Sequence, residues 1–280
     1  MCERFPLVAP SEWAARIAAG EVVDEFGVVV TPERPFKAGL RVYYYRSLAE
    51  ETPIPFEEQV LFQDELLVVA DKPHFLPVTP SGRYLQETLL VRLKRKLGID
   101  TLSPIHRIDR ETAGLVVFAV QPATRGRYQK LFADRLVQKQ YEAIAPYRAE
   151  LILPMVHRSC LVDDSSFMRM REATGDEAGE PNTETFIELL EAQAGLARYR
   201  LSPVTGRKHQ LRVHCAALGM PILYDRIYPE LLPENTDDHA RPLQLLARKL
   251  AFRDPVSGEA RCFESQRCLM SLSASAEAQS

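Results

Sequence analysis

The sequence predicts an α+β fold with a mixed, mostly antiparallel sheet, on three observations. Apolar runs of strand length recur along the chain, as in Leu66 to Ala70, Gly114 to Val120 and Leu245 to Phe252. Helical spacing appears between some of them but never in regular βαβ alternation. Turn residues separate the runs closely enough for hairpins rather than crossovers.

The elements follow in order. Ser11 is placed to cap a short helix through Ala19, with Gly20 as its stop. Val22-Val23, Gly27 to Val30 and Arg41 to Arg46 read as short strands. The polar, Pro-rich stretch Glu50 to Pro55 reads as a linker. Residues 1–55 are therefore expected as a small N-terminal module, 56–272 as the main domain and 273–280 as a frayed Ser/Ala-rich tail. Val60 to Phe62 and Leu66 to Ala70 predict a hairpin about Gln63-Asp64-Glu65. Leu85, Leu89, Leu90, Leu93 and Leu97 have helical spacing, ended by Gly98. Gly114 to Val120 predicts a buried strand, and Tyr128, Leu131, Phe132 and Leu136 mark one helix face. Tyr141 to Ala145, Thr185 to Leu190 and Ala197 to Leu201 read as strands. Leu211, His214, Cys215 and Leu218 predict a helix stopped by Gly219. Leu245 to Phe252 turns through Asp254 to Gly258 into Ala260 to Phe263.

Composition narrows the function classes. Apolar residues at 46% are enough for a sizeable core, which excludes wholesale disorder. No apolar run approaches the ~20 residues that span a bilayer. Met1 to Pro6 lacks the basic and apolar regions of a secretory signal, so a cytoplasmic location is expected. The 5 cysteines are odd in number and form no CxxC, which argues against a disulfide framework or zinc knuckle. A net charge of −3 weighs against nucleic acid, but the average conceals an asymmetry. Residues 83–148 hold 13 Lys/Arg against 6 Asp/Glu, and acidic residues gather elsewhere. A basic face on an acidic molecule can bind RNA.

Two segments concentrate chemistry. In His106-Arg107-Ile108-Asp109-Arg110 a carboxylate lies between two arginines at a strand edge. Neighbouring guanidinium favours the ionised form, which suits a nucleophile or electrostatic stabiliser and not a general acid. The structural alternative is an Asp–Arg pair tying a loop to the sheet. Gly206-Arg207-Lys208-His209-Gln210-Leu211-Arg212 places cations at a helix start, where a bound phosphate would offset the unfavourable dipole. Its alternative is a basic amphipathic helix without ligand. His209 and His214 are five apart, whereas a zinc-binding helix pair needs four. There is no G-x-S-x-G elbow, G-x-G-x-x-G or Walker loop.

These segments resemble those of the RluA-type RNA pseudouridine synthases. His106 to Phe118 resembles the motif H-R-L-D-x-x-T-S-G-L-L-L-F, and Gly206 to His214 resembles G-R-T-H-Q-I-R-V-H. Lys139 to Ala143 is similar to K-x-Y-x-A, and Asp71-Lys72-Pro73 with Pro80-Ser81-Gly82 to the early K-P loop. Leu245-Leu246-Ala247 with Phe252, Asp254, Pro255 and Gly258 is similar to the late L-H-A … F-x-H-P-x-T-G. The matches fall in order from about residue 60 to 265. Departures are Ala113 for Ser, Lys208 for Thr or Ser, Phe75 for Gly, Leu246 for His, and Tyr224 and Pro229 within G-D-x-x-Y-G.

The resemblance implies a pseudouridine synthase catalytic domain, with residues 11–46 as a shortened RNA-binding module. It implies Asp109 as the catalytic aspartate and Tyr141 as a tyrosine that stacks on the target base and assists proton removal. Arg212 is implied as the arginine paired with the aspartate. Arg107, Arg110, Arg207, Lys208 and His209 are expected on the RNA. The implied partner is ribosomal or transfer RNA, without membrane, metal, cofactor or obligatory protein partner; a monomer is the family default. Two rival readings are an RNA-binding protein without catalysis and a metal-dependent hydrolase using His106, Asp109 and His209.

Overall fold

The computed structural model describes residues 9–44, 51–166, 168–233 and 238–277. The chain separates into two units, Met1–Glu51 and Thr52–Ser280.

The first unit holds helix α1 (Pro10–Ala18) and the antiparallel pair β1 (Val22–Asp24) and β2 (Val42–Tyr44). Pro10 opens the helix and Ala9 precedes it without a side-chain cap, so the expected Ser11 cap is corrected. Proline lacks the N–H that a first turn leaves unpaired, so it starts the helix at no cost. The strand expected over Gly27 to Val30 reduces to one bridge, Val23 to Val29. Asp24 explains why: its carboxylate accepts the N–H groups of Phe26 and Val28, each at 2.9 Å, and closes a turn there. Residues 45 and 46 of the third expected strand lie outside the described residues.

The second unit is built on a ten-stranded sheet. Its strands in chain order are β3 (Gln59–Gln63), β4 (Leu67–Lys72), β5 (Ser103–Pro104), β6 (Ala113–Ala119), β7 (Gln138–Pro146) and β8 (Met155–Ser159). A separate hairpin, β9 (Leu161–Asp163) and β10 (Met170–Glu172), interrupts the run. The sheet resumes with β11 (Thr183–Gln193), β12 (Leu196–Pro203), β13 (Leu245–Arg253) and β14 (Ala260–Glu264). The order is β3-β4-β6-β13-β7-β12-β11-β8, with β5 beside β6 and β14 beside β13. Among the described residues only the pairing of β6 with β13 is parallel.

Why β4 and β6 read as unbroken apolar runs is plain from their faces. Leu67, Val69, Leu115 and Val117 pack on one side, under helix α3 (Pro122–Ala133). Val68, Ala70, Val116 and Phe118 pack on the other, under helix α2 (Leu89–Leu97). A strand covered on both faces has no polar side to show. Thr88 caps α2 by accepting from the Val91 N–H, so Leu85 of the expected periodicity lies before the helix. Leu136, expected on the α3 face, lies beyond its end and is 61% exposed.

Helix α4 (Gln210–Ala217) covers the sheet centre over Ala143, Tyr199 and Leu201. Helix α5 (Leu272–Glu277) stands where a frayed tail was expected, because Leu272 is buried beside Leu223 and Leu246. Residues 278–280 lie outside the described residues. Among the described residues, no helix is long and apolar enough to cross a membrane.

Two of the sequence departures have a backbone signature. Phe75 and Tyr224, where glycine was expected, have φ of 66° and 62°. This left-handed region is free for glycine and strained for an aromatic residue. Phe75 is held there by stacking on Phe56, with ring centroids 5.8 Å apart. Tyr224 is held by packing against the cluster around Leu223 and Leu246.

Candidate active site

Asp109 sits on the loop between β5 and β6, and the surrounding residues pin that loop from below. Lys72 is fully buried, and its amine donates to the carbonyls of Pro73, Leu76 and Arg110 at 3.0, 2.7 and 2.9 Å. Burial pushes this amine down to about 7, against the pull of Glu111 and Asp109. His74 Nδ1 donates to the Glu111 carbonyl at 2.6 Å. His106 faces the core, stacked on Phe132, and its Nε2 accepts the Val117 N–H at 3.1 Å. Burial, then Lys139, push His106 to about 3, so it stays neutral. Behind the loop, Gly114 has φ of 109° and lies against β13. A Cβ there would fall 2.3 Å from the Ala247 carbonyl oxygen, which explains the glycine.

Helix α4 brings the second motif to Asp109. Its residues Gln210 to Cys215 are all buried, so the amphipathic basic helix is ruled out. Gln210 accepts from the Thr205 hydroxyl at 2.7 Å and the Arg207 N–H at 3.1 Å, and donates to the Glu184 carbonyl at 3.0 Å. This knits the helix start to the sheet.

Arg212, 1% exposed, is the centre of the site. Its Nη1 donates to Asp109 at 3.2 Å, while Nε and Nη2 form a bidentate pair with Asp225 at 2.8 and 2.7 Å. Glu111 stands 3.8 Å away, and the guanidinium lies 5.6 Å over the Tyr228 ring. Burial alone would favour discharge, but Asp225 first, then Asp109 and Glu111, raise its pKa. Glu111 is likewise opposed by burial but held below the usual carboxylate range by Arg110 and Arg212. Asp225 accepts the N–H groups of Ile227 and Tyr228 at 2.8 and 3.0 Å, so a tight turn holds the clamp. The Tyr228 hydroxyl shares a 3.0 Å hydrogen bond with His209 Nδ1. His209 Nε2 is 4.0 Å from Asp109, and burial lowers its pKa despite that charge.

Above this floor opens a cleft of about 100 Å³. Asp109, Tyr141, Arg212, Arg107, Arg207 and His209 all line it. Asp109 remains 27% exposed, so one face of its carboxylate is open to a ligand. Burial and the Asp109 charge raise the Tyr141 phenol well above its ordinary value. Arg107 and Arg207 are exposed at the rim. Arg110 and Lys208 are not among the lining residues. Arg110 turns to Glu111 at 2.9 Å and lies 5.7 Å over the Tyr84 ring. His106 does not join Asp109 and His209 in a metal-binding set, because it is turned into the core.

Another His/Glu group exists away from the cleft. His157, Glu172 and His214 have ligand-type atoms within 4.8 Å of one another. They are already hydrogen-bonded: His157 to Glu172 at 2.7 Å, and His214 to the hydroxyls of Ser159, Thr183 and Thr185. Sequence reasoning missed Asp225 and Tyr228, although both stand between the noted departures Tyr224 and Pro229. It also quoted Lys72 and Lys139 without giving either a role.

Comparison with known proteins identifies the family. The RNA pseudouridylate synthase family profile matches residues 66–217. An uncharacterised RNA pseudouridine synthase of Synechocystis is 30% identical over 234 residues, 80% of this chain and 76% of that protein. The dual-specificity RNA pseudouridine synthase RluA of Pasteurella multocida is 31% identical over 201 residues, 71% of this chain and 89% of that one. Among solved structures, human RNA pseudouridylate synthase domain containing 4 aligns with a TM-score of 0.58 and 26% identity, over 79% of this chain and 92% of that chain. The chain therefore belongs to the RluA-type RNA pseudouridine synthases, isomerases that convert uridine in RNA to pseudouridine.

Proposed function

We propose that the protein isomerises a specific uridine in structured ribosomal or transfer RNA, with Asp109 as its nucleophile. The observation that carries this reading is the Asp109–Arg212 pair on the floor of an open cleft that Tyr141 also lines. Cleaving the N-glycosidic bond leaves negative charge on uracil and positive character on the sugar. A carboxylate is the natural partner of that sugar, and Arg212 holds the Asp109 carboxylate in place at 3.2 Å. Asp109 acts on the sugar, by attack at C1′ or by taking the C2′ proton. The uracil turns and its carbon 5 bonds to C1′ as the bond to Asp109 breaks or the C2′ proton returns; carbon 5 then loses its hydrogen to solvent and N1 takes up a proton. The reaction is redox-neutral, so the reading requires neither metal nor cofactor.

A base within a stack cannot reach Asp109, so the uridine is flipped out at a cost of a few kcal/mol. Stacking on Tyr141 offsets about 1–3 kcal/mol of it. With its pKa raised, Tyr141 keeps its phenolic proton at neutral pH. It therefore offers a stacking surface and a hydrogen-bond donor to the flipped base. Arg107, Arg207, Lys208 and His209 hold the RNA, and Arg110 supports the Asp109 loop instead.

The test uses bulk RNA tritiated at uracil carbon 5, with release to water counted for wild type and Asp109→Ala. Release by wild type alone is expected. No release from any ribosomal or transfer RNA would leave an RNA-binding protein without catalysis.

A further inference from the structure

Lys139 lies on the cleft wall two residues before Tyr141 on β7, and therefore on the same strand face. Its amine donates to the Thr205 carbonyl at 2.8 Å. An ammonium has three N–H donors, so two remain for other partners. Among the described residues it has no carboxylate partner; the charged neighbour acting on it is a cation, Arg135. A partly buried ammonium with one carbonyl and no anion is an incomplete arrangement, since buried charge is ordinarily paired.

Gly206 adds an independent observation. A Cβ built there would lie 3.7 Å from Lys139 Nζ, an ordinary van der Waals contact. The glycine thus leaves the amine uncovered on the side where Gly206 and Arg207 line the cleft.

We propose that Lys139, uncovered by Gly206 and flanked by Arg207, binds the backbone phosphate next to the target uridine. The inference rests on the pseudouridine synthase reading above and gives that cleft its anion subsite. Along the strand Lys139 stands two residues, roughly 7 Å, from Tyr141, and both line the same cleft. Burial, then Arg135, push the amine down to about 8, so the subsite is short of negative charge that a phosphate supplies. Lys139 is a binding and positioning residue, while the bond changes remain with Asp109.

The experiment measures affinity for a substrate RNA over a salt series in the inactive Asp109→Asn protein. The same series is run with Lys139→Met, Lys139→Arg or Gly206→Ala added. Lys139→Met is expected to weaken binding about tenfold, as for one lost charge-assisted hydrogen bond. It should also flatten the slope of log K against log salt by about 0.7–0.9, the release expected from one phosphate contact. Lys139→Arg should retain the slope. Gly206→Ala should weaken binding at unchanged melting temperature, because a methyl covers a charge that is still present. An unchanged slope in Lys139→Met overturns the inference: a fall in affinity would then mean a base carbonyl contact or a loop tether to Thr205. If Lys139→Met fails to fold, the Arg and Gly206→Ala variants decide by the same two readouts. Turnover of RNA by wild type with an unaltered Lys139→Met slope sinks this inference alone. Absence of both turnover and RNA binding in wild type sinks the function on which it rests.

Discussion

Arg207 and Arg212 stand five residues apart and use the same side chain in opposite ways. Arg212 is 1% exposed and holds Asp109 and Asp225 at once, while Arg207 is exposed at the rim. The difference separates two kinds of electrostatics. A buried, doubly paired guanidinium is part of the folded structure, and removing it leaves buried Asp225 without compensation. An exposed one is screened by salt and acts mainly on incoming phosphate. Floor substitutions should therefore alter turnover, stability or both, and rim substitutions affinity and its salt dependence.

The largest expected effect tests the floor directly. Asp109→Asn should bring tritium release below detection while RNA affinity and melting temperature stay near wild type. Turnover equal to wild type would remove Asp109 from the mechanism. Next, Arg212→Ala should cost about 3–5 kcal/mol, because it strands buried Asp225. Urea unfolding would measure it, and a loss below 1 kcal/mol would contradict the pairing. Asp225→Asn should cost less, about 2–3 kcal/mol, since Asp109 and Glu111 still face the guanidinium.

A third effect concerns pH. Burial is the largest cause holding His106 near 3 and His74 and His214 near 4, below the ordinary 6.5. Between those values the unfolded chain binds protons that the folded chain refuses. Stability should thus be full above about pH 6.5 and fall as pH drops toward 4. Urea midpoints at pH 7.5 and 5 would show it, and His106→Gln should flatten the trend. A midpoint that rises toward acid would refute the neutral-histidine assignment. The smallest effect belongs to the rim: Arg207→Ala should flatten the salt slope by about 0.7–0.9 and leave the urea midpoint unchanged. A large drop in stability would erase the distinction between floor and rim.

Much of the fold was legible before any coordinates. Apolar runs at 66–70, 114–120 and 245–252 became β4, β6 and β13, and Gly98 and Gly219 ended α2 and α4. Boundaries failed where local chemistry competed with periodicity. The Asp24 turn displaced an expected strand, and the Leu85 and Leu136 spacings ran past the helices. At the site, the resemblance of the motifs to the family brought forward Asp109, Tyr141 and Arg212. It set Arg110 toward the RNA, whereas that side chain turns to Glu111, because adjacency to Asp109 does not say which way a loop side chain points. Asp225 was passed over although it matches the D of the quoted G-D-x-x-Y-G, because the departures at Tyr224 and Pro229 drew the reading instead. Its role exists only once Arg212 arrives from α4.

What the sequence alone determined is local and periodic: strand and helix identity, the chemistry concentrated around Asp109, and the family to which the ordered motifs belong. Periodicity and motif order are properties of neighbouring residues, so no coordinates are needed to read them. What the tertiary structure decided is convergence. Residues 103 apart, Asp109 and Arg212, meet at 3.2 Å because β6 and β13 pair in parallel under Gly114 while α4 packs over the sheet centre. The same packing leaves Asp109 partly open and buries Asp225 completely. Which carboxylate faces substrate and which holds the arginine depends on burial, and burial is a property of the whole fold.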